Sequence, residues 1–168
     1  AAEKGNLDVV RYLAGEARAH VNQAEEILEV PHFTLLLIKG NLDAVFYLAG
    51  EAHADVNQAI TYDGGTPLFV AAQNDNLDVV RYLAGEAHAD VNQARTDDGC
   101  TPLYIAAQKD NLDVVRYLIG EAHADVNQAT TDDGCTPLYI AAYQGNLDVI
   151  RYLAGEARAD VNPTTVNG

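Results

Sequence analysis

Apolar and polar positions recur along this chain in one order, with a spacing of 35 residues. Residues 98–127 match residues 133–162 almost letter for letter after a shift of one period, and residues 63–92 match nearly as well. The triplet Asn-Leu-Asp marks each period, beginning at Asn6, Asn41, Asn76, Asn111 and Asn146. A fixed period in this range predicts stacked units of supersecondary structure, in which each unit buries its apolar face against its neighbours.

Within each period, the segment after this asparagine has the pattern of an amphipathic helix. Val80, Leu83, Ala84 and Ala87 occupy positions i, i+3, i+4 and i+7, which form one apolar stripe. The asparagine is expected to cap the helix through its side chain, as Asn111 illustrates. The same pattern predicts a helix over residues 7–17 behind Asn6. The glycine of each helix, Gly85 in this unit, leaves two possibilities open: the helix ends there or runs past it.

A second, shorter helix is predicted ahead of the first in each regular unit. Asp98 and Gly99 form a turn that requires a positive φ at the glycine. Thr101 and Pro102 follow as N-cap and first helical residue, a strong helix start. Alanines such as Ala107 allow a neighbouring helix to approach closely. Each unit is therefore turn, helix, loop and helix, and the fold class is all-α.

The period divides the chain into one array, residues 1–168, of about five units. Their approximate bounds are 1–27 (partial), 28–62 (degenerate), 63–97, 98–132 and 133–168. In the degenerate unit Leu28 and Glu29 replace the turn Asp-Gly, so the segment 24–38 departs from the pattern. Two interpretations remain open for it: a weakened unit that still packs, or a distorted apolar docking site.

These residues resemble the ankyrin repeat family. The resemblance rests on D-x-G-x-T-P-L-[YF]-x-A-A in three copies and on V-V-x-Y-L and A-D-V-N downstream. It implies a helix-turn-helix solenoid with projecting loops that acts as a non-enzymatic scaffold for binding proteins, through loop tips and the faces of the first helices. The period is longer than the usual 33 residues. His88 and His123 stand where the family usually has a glycine, and Tyr104 and Tyr139 replace its usual histidine.

Charge narrows the choice of partners. The chain has 25 Asp and Glu against 10 Lys and Arg, a formal net charge of −15. Such a surface repels phosphate, so we expect neither nucleic acid nor a membrane surface as a partner. A basic protein, or one not selected by charge, is expected instead. No apolar run approaches the roughly 18 residues of a spanning helix.

Titratable residues also recur in register, but their spacing argues against a metal, a cofactor or catalysis. His53, His88 and His123 should lie about one helix-packing step apart, roughly 8–10 Å. Zinc needs nitrogens about 2.0–2.1 Å away, so a ladder of solvated or carbonyl-bonded histidines fits better. A pH-sensitive stack of these histidines is also physically possible. The turn aspartates fan out along an edge, whereas calcium requires roughly 6–8 converging oxygens. The chain has no serine, which removes a serine-based triad.

The two cysteines indicate the redox environment in which the protein is expected. Cys100 and Cys135 are one unit apart, beyond the roughly 7 Å between Cα atoms that an unstrained disulfide allows. Two unpaired thiols suit a reducing environment, so an intracellular and most simply cytoplasmic location is expected.

Differences between the copies indicate where a partner binds, since scaffold positions repeat and binding positions need not. Drift at solvent-exposed positions would give the same pattern and stays open as the alternative. Tyr62 and Tyr143 are the best anchors, because aromatic residues are enriched at interface hot spots. The predicted partner-binding residues are Tyr62, Asp63, Phe69, Gln73, Asn74, Arg95, Asp97, Tyr104, Gln108, Lys109, Asp132, Tyr139, Tyr143 and Gln144.

A second function follows from the ends of the sequence. Residues 1 and 2 align with the inside of a helix, and the last helix, from Leu147, has no following unit in the sequence. Solenoids normally carry polar capping units, and open complementary faces that do not close by symmetry build filaments. Head-to-tail self-assembly is therefore the alternative to a scaffold, unless flanking sequence caps the array.

Overall fold

A computed structural model describes residues 41–51, 54–59 and 64–161 of the chain. These residues form seven α-helices and contain no strand. The helices are α1 Leu42–Phe46, α2 Pro67–Gln73, α3 Leu77–Arg81, α4 Pro102–Gln108, α5 Leu112–Gly120, α6 Pro137–Gln144 and α7 Leu147–Arg151. The helix expected over residues 7–17, the degenerate segment 24–38 and residues His53, Tyr62 and Asp63 lie outside the described residues.

Helices α2, α4 and α6 come first in their units and are called the short helices, because π turns lengthen most of the second helices. They begin as their sequence predicts. Thr101 accepts a hydrogen bond at its Oγ1 from the Tyr104 amide at 3.0 Å, and Pro102 is the first helical residue. Thr66 and Thr136 make the same bond to Phe69 and Tyr139, each at 3.2 Å. The threonine cap is confirmed in all three regular units.

These short helices pack against one another along the chain, α2 on α4 and α4 on α6. Leu68 and Leu103 are fully buried between them. Ala71 and Ala106 are fully buried as well, and their small side chains let the helices approach closely. The expected all-α helix-turn-helix solenoid is confirmed.

The second helices of the units, α1, α3, α5 and α7, are called the longer helices, and they pack through the predicted stripe. Val80 and Leu83 are fully buried, and Ala84 and Ala87 are half-buried against them. Helix α3 does not end at Gly85: a π-helical turn, Tyr82–Glu86, extends it. The Ala87 amide closes this turn on the Tyr82 carbonyl at 2.9 Å.

The same π turn follows α1 at Tyr47–Glu51 and α7 at Tyr152–Glu156. Helix α5 ends at Gly120 instead. Its sequence has Ile119 where the other three have alanine. Both endings left open by the sequence therefore occur. The unit of α5 keeps the same spacing without a π turn, so the π turn does not explain the long period.

Two histidines occupy backbone positions that suit glycine. His88 has φ 55° and His123 has φ 57°, both in the left-handed region. Arg158 has φ 55° at the equivalent position. A side chain there crowds the backbone at a cost of about 1 kcal/mol. The chain thus keeps a bulky polar residue at a position where glycine would relax the backbone.

Replacing either histidine by glycine should stabilise the fold. We expect His88→Gly or His123→Gly to raise the free energy of unfolding by about 0.5–1 kcal/mol, because glycine adopts this φ without strain. Urea unfolding monitored by circular dichroism measures the change. Ala87→Gly, one residue earlier at φ −85°, is the control and should destabilise. Equal destabilisation by both changes would contradict the strain argument.

One expectation about the longer helices is wrong. Asn111 stands at the N-cap position of α5, yet its side chain makes no capping hydrogen bond. Its amide instead donates to the Ala72 carbonyl at 2.7 Å, at the end of the preceding short helix. Asn146 repeats this contact with the Ala107 carbonyl at 2.8 Å. Four described helices follow such an asparagine, and the asparagine side chain caps one of them, α1. There, Asn41 accepts a hydrogen bond from the Ala44 amide at 3.2 Å.

The asparagine amide therefore locks one unit onto the next. Asn111→Asp should destabilise the fold by about 1–2 kcal/mol, because a carboxylate cannot donate to a carbonyl and leaves it without this partner. A pure capping role predicts little or no change in the free energy of unfolding, since aspartate caps as well as asparagine. The measurement is urea unfolding at pH 7. Asp113→Asn on the exposed side of the same helix is the control, with an expected change below about 0.5 kcal/mol.

Candidate functional site

Neighbouring turns touch along one edge of the array. The Thr131 amide donates to the Asp98 carbonyl at 3.0 Å, which joins two successive turns. Gly99, at φ 77°, makes this approach possible: a Cβ on it would lie 2.5 Å from the Thr131 nitrogen. The predicted positive φ at the turn glycine is confirmed here, and Gly64 and Gly134 share it. The turns thus form a continuous edge rather than separate loops.

A single arginine organises the turn of unit 98–132. The Arg95 guanidinium binds the carboxylates of Asp98 and Asp97, the latter at 2.9 Å. It also lies over the Phe69 ring, 5.2 Å from the centroid. The Arg95 amide donates to the Cys100 carbonyl at 2.9 Å, which closes the turn. Arg95, predicted to contact a partner, is thus half-buried and already engaged within the turn.

The turn of the next unit closes without an arginine. The Thr130 amide donates to the Cys135 carbonyl at 3.0 Å, and the Thr130 hydroxyl accepts from the Cys135 amide at 2.9 Å. Asp132 accepts from the Asp133 amide at 2.7 Å. The carboxylates of Asp97, Asp98 and Asp132 therefore have a local structural role. Asp132 and Asp133 are nevertheless exposed to solvent.

The surroundings of these turns lower the pKa of the Asp98 carboxyl and raise the pKa values of the two cysteine thiols. Hydrogen bonding from Arg95 holds the pKa of the Asp98 carboxyl well below its usual range, and the Cys100 amide adds to this. Burial raises the pKa of the Cys100 thiol, and the neighbouring Asp98 carboxylate raises it further. Burial likewise raises the pKa of Cys135. A thiol with a raised pKa is a poor nucleophile at neutral pH.

Asp98 makes the stability of this turn depend on pH. A carboxyl whose folded pKa is depressed stabilises the fold above its unfolded pKa of about 3.9 and loses this contribution as pH falls. Asp98→Asn should therefore lower the free energy of unfolding by about 1 kcal/mol at pH 7. The loss of unfolding free energy caused by this substitution should decrease as the pH falls from 4 to 2. Urea unfolding at several pH values tests this, and a constant difference across that range would contradict it.

The exposed part of the site consists of the turns and the ends of the short helices. Asn74, Lys109 and Gln144 are exposed where α2, α4 and α6 end. Tyr143 is 76% exposed and is the most exposed large hydrophobic side chain among the described residues. Together with the exposed turn residues Asp97, Asp132 and Asp133, these residues are called the loop-tip surface below. Its charge is negative, because Lys109 is the one cation in the set.

The structure places other predicted residues elsewhere. Phe69 and Tyr104 are 3% and 8% exposed, since the following unit covers them. Tyr139, which occupies the equivalent position in the last unit, is 45% exposed. Gln73 and Gln108 are half-buried at the edge of the loop-tip surface. Phe69 and Tyr104 therefore support the surface from beneath instead of lining it.

The comparison of the repeated copies did not select four exposed residues of this region, two threonines and two aspartates. Thr96 and Thr131 are exposed in the turns but identical between units, so a search for differences passes over them. Asp75 and Asp110 are exposed at φ 58° and 64°, just after the short helices. Gly145 occupies their position in the last unit, and this exchange of aspartate for glycine was the available signal.

Several other kinds of site find no support in the part of the chain that the structure describes. No group of three or more His, Cys, Asp or Glu side chains there is arranged to hold a metal ion. Among the same residues, no helix has the length and apolar character needed to cross a membrane. The two cysteines are unpaired, as their spacing predicts.

Comparison with known families now identifies the class. A sequence model described as ankyrin repeats matches in three copies, over residues 1–95, 34–130 and 87–165. The chain belongs to the ankyrin repeat family. Repeats of this family are generally modules for binding other proteins and typically lack enzymatic activity. No curated protein matches the chain.

Proposed function

We propose that this chain is a non-enzymatic scaffold that binds a protein partner through the loop-tip surface. The observation that carries the proposal is where the units differ. Positions that repeat, such as Leu68 and Leu103, are buried between units, whereas Asn74, Lys109 and Gln144 differ between units and are exposed. A rigid stack with variable exposed ends is suited to selective binding.

Tyr143 is the anchor of the proposed surface. A tyrosine that is 76% exposed offers a large apolar ring and a hydroxyl at little entropic cost. It stands where the other regular units have Gln73 and Gln108, so it distinguishes this end of the surface. Gln144, the next residue, and Lys109 and Asn74, at the equivalent positions of the two preceding units, supply polar contacts along the surface.

The partner that fits this surface carries positive charge. Asp97, Asp132 and Asp133 are exposed on adjacent turns, and the chain as a whole has a net charge of −15. A basic segment laid along the turns would find complementary potential, which favours fast association and correct orientation. The unpaired, protonated thiols of Cys100 and Cys135 fit a reducing compartment, so we place this function inside the cell.

Selection from a library of randomised displayed peptides tests the proposal and does not require the natural partner. We expect the selected peptides to be rich in lysine and arginine. Tyr143→Ala should weaken their binding about tenfold, as expected for an aromatic hot spot worth about 1.4 kcal/mol. The double variant Asp132→Asn, Asp133→Asn should weaken binding and flatten its salt dependence. Fluorescence anisotropy of the labelled peptide measures both effects.

The matched control removes the same amount of negative charge from a part of the chain outside the loop-tip surface. Asp148→Asn with Glu156→Gln removes two exposed carboxylates from the last longer helix and its π turn, and should leave binding nearly unchanged. Unfolding curves confirm that each variant is folded. Equal sensitivity to both double variants would reduce the effect to net charge. Peptides whose affinity is unchanged by Tyr143→Ala and by the double variant Asp132→Asn, Asp133→Asn would overturn the proposed surface.

A further inference from the structure

The turn at Asp97 and Asp98 shows how this chain binds a guanidinium. The Arg95 Nε donates to the Asp98 carboxylate at 3.1 Å, and the Nη2 of the same guanidinium donates to the other oxygen of that carboxylate. The Arg95 Nε also lies 2.9 Å from the Asp97 carboxylate. One carboxylate thus accepts the guanidinium fork, and the second carboxylate lies beside it. A planar guanidinium fits this arrangement, whereas a lysine ammonium is a point charge and does not reproduce it.

The next turn has the same two acids and lacks the arginine. Asp132 and Asp133 occupy the positions of the two acids one period later, and Thr130 occupies the position of the arginine. The Thr130 hydroxyl accepts a hydrogen bond from the Cys135 amide at 2.9 Å. In the preceding turn, the corresponding cysteine amide donates to the Asp98 carboxylate, also at 2.9 Å. The threonine therefore replaces the aspartate in this structural bond, which releases the Asp133 carboxylate from it.

The carboxylates of this second turn are consequently open to a ligand. Asp133 is exposed, whereas Asp98 is half-buried. Neither Asp132 nor Asp133 forms an ion pair with a described residue. Asp132 uses one oxygen for the Asp133 amide, which leaves its other oxygen and both oxygens of Asp133 to accept hydrogen bonds. Tyr104, the counterpart of Phe69, is 8% exposed, so we assign the site to the two carboxylates and not to the ring beneath them.

We propose that the turn at Asp132 and Asp133 binds an arginine side chain of the partner protein, in the arrangement that Arg95 adopts one unit earlier. The inference rests on the proposed function and names the residue type that this part of the loop-tip surface binds. Arg95 determines the specificity, because it occupies the equivalent position in the preceding turn and so excludes a second guanidinium there. The partner's arginine is thereby directed to the turn that precedes helix α6, which carries Tyr143.

Two reciprocal substitutions exchange the features of the two turns. Thr130→Arg supplies the second turn with an internal guanidinium, which should bind Asp132 and Asp133 as Arg95 binds the acids of the first turn. Arg95→Thr empties the first turn, and a threonine there can close the turn as Thr130 does. Each variant introduces a residue that the other turn already accommodates, so we expect both to fold. Circular dichroism and urea unfolding check this.

The first measurement needs no natural partner. N-acetyl-arginine amide is titrated into the ¹⁵N-labelled 168-residue chain at constant ionic strength, and the amide chemical shifts of residues 96–100 and 131–135 are followed. In the unmodified chain, the shifts should change at 131–135 and stay nearly constant at 96–100. Arg95→Thr should add changes at 96–100, and Thr130→Arg should remove the changes at 131–135. N-acetyl-lysine amide should cause smaller changes at 131–135, because it lacks the guanidinium fork.

The second measurement uses the labelled basic peptides selected on the unmodified chain. Thr130→Arg should weaken their binding about tenfold, because the internal arginine competes for the two carboxylates. Arg95→Thr should not weaken it. Glu156→Gln changes the net charge in the same sense and amount as Thr130→Arg, and Arg151→Gln does so for Arg95→Thr, both at exposed positions outside the loop-tip surface. Each control should change the affinity by less than about twofold.

The possible contrary results separate this inference from the proposed function. Equal shift changes at both turns of the unmodified chain would contradict the role of Arg95. An absence of changes at 131–135, or changes there that persist in Thr130→Arg, would overturn the arginine site. Peptide binding that requires Tyr143 but is unaffected by Thr130→Arg would also overturn it, while leaving the proposed surface intact. Peptide binding that is insensitive to Tyr143→Ala as well would count against the proposed function itself.

Discussion

The packing of neighbouring short helices, with α4 buried between α2 and α6, is the constraint on which this structure depends. Leu68 and Leu103 have no accessible surface because α2, α4 and α6 lie against one another. Tyr104 and Tyr139 show the size of the effect, since the same residue in the same local sequence is 8% exposed with a following unit and 45% exposed without a described one. Stability in such an array is a property of junctions rather than of single units.

Polar contacts fix the register of these junctions. Asn92 accepts from the Asp125 amide at 2.8 Å, and Asn57 and Asn127 make the same contact one unit away. Together with the asparagine amides at the short helices, they form two ladders of hydrogen bonds that cross from unit to unit. An apolar interface alone would tolerate sliding, whereas each ladder is satisfied in one alignment only.

The rigidity of the stack also explains what the turns are free to do. Because the helices carry the packing, the turns need only close and touch, and they do so by different means: Arg95 with its two carboxylates in one unit and the Thr130 hydroxyl in the next. This freedom allows exposed residues to differ without loss of the fold. It is the reason that a scaffold function is placed on the turns and on the ends of the short helices.

The sequence by itself determined the repeat, the all-α class, the threonine caps and the positive φ of the turn glycines, because each depends on local chemistry within a few residues. It did not determine what Asn111 bonds to, since its partner Ala72 is 39 residues away. Nor did it show that Arg95 already binds two carboxylates within its turn. The burial of Phe69 and Tyr104 under the following unit was not evident from the sequence either. Those outcomes depend on which surfaces meet when units stack, and only the tertiary structure decides that.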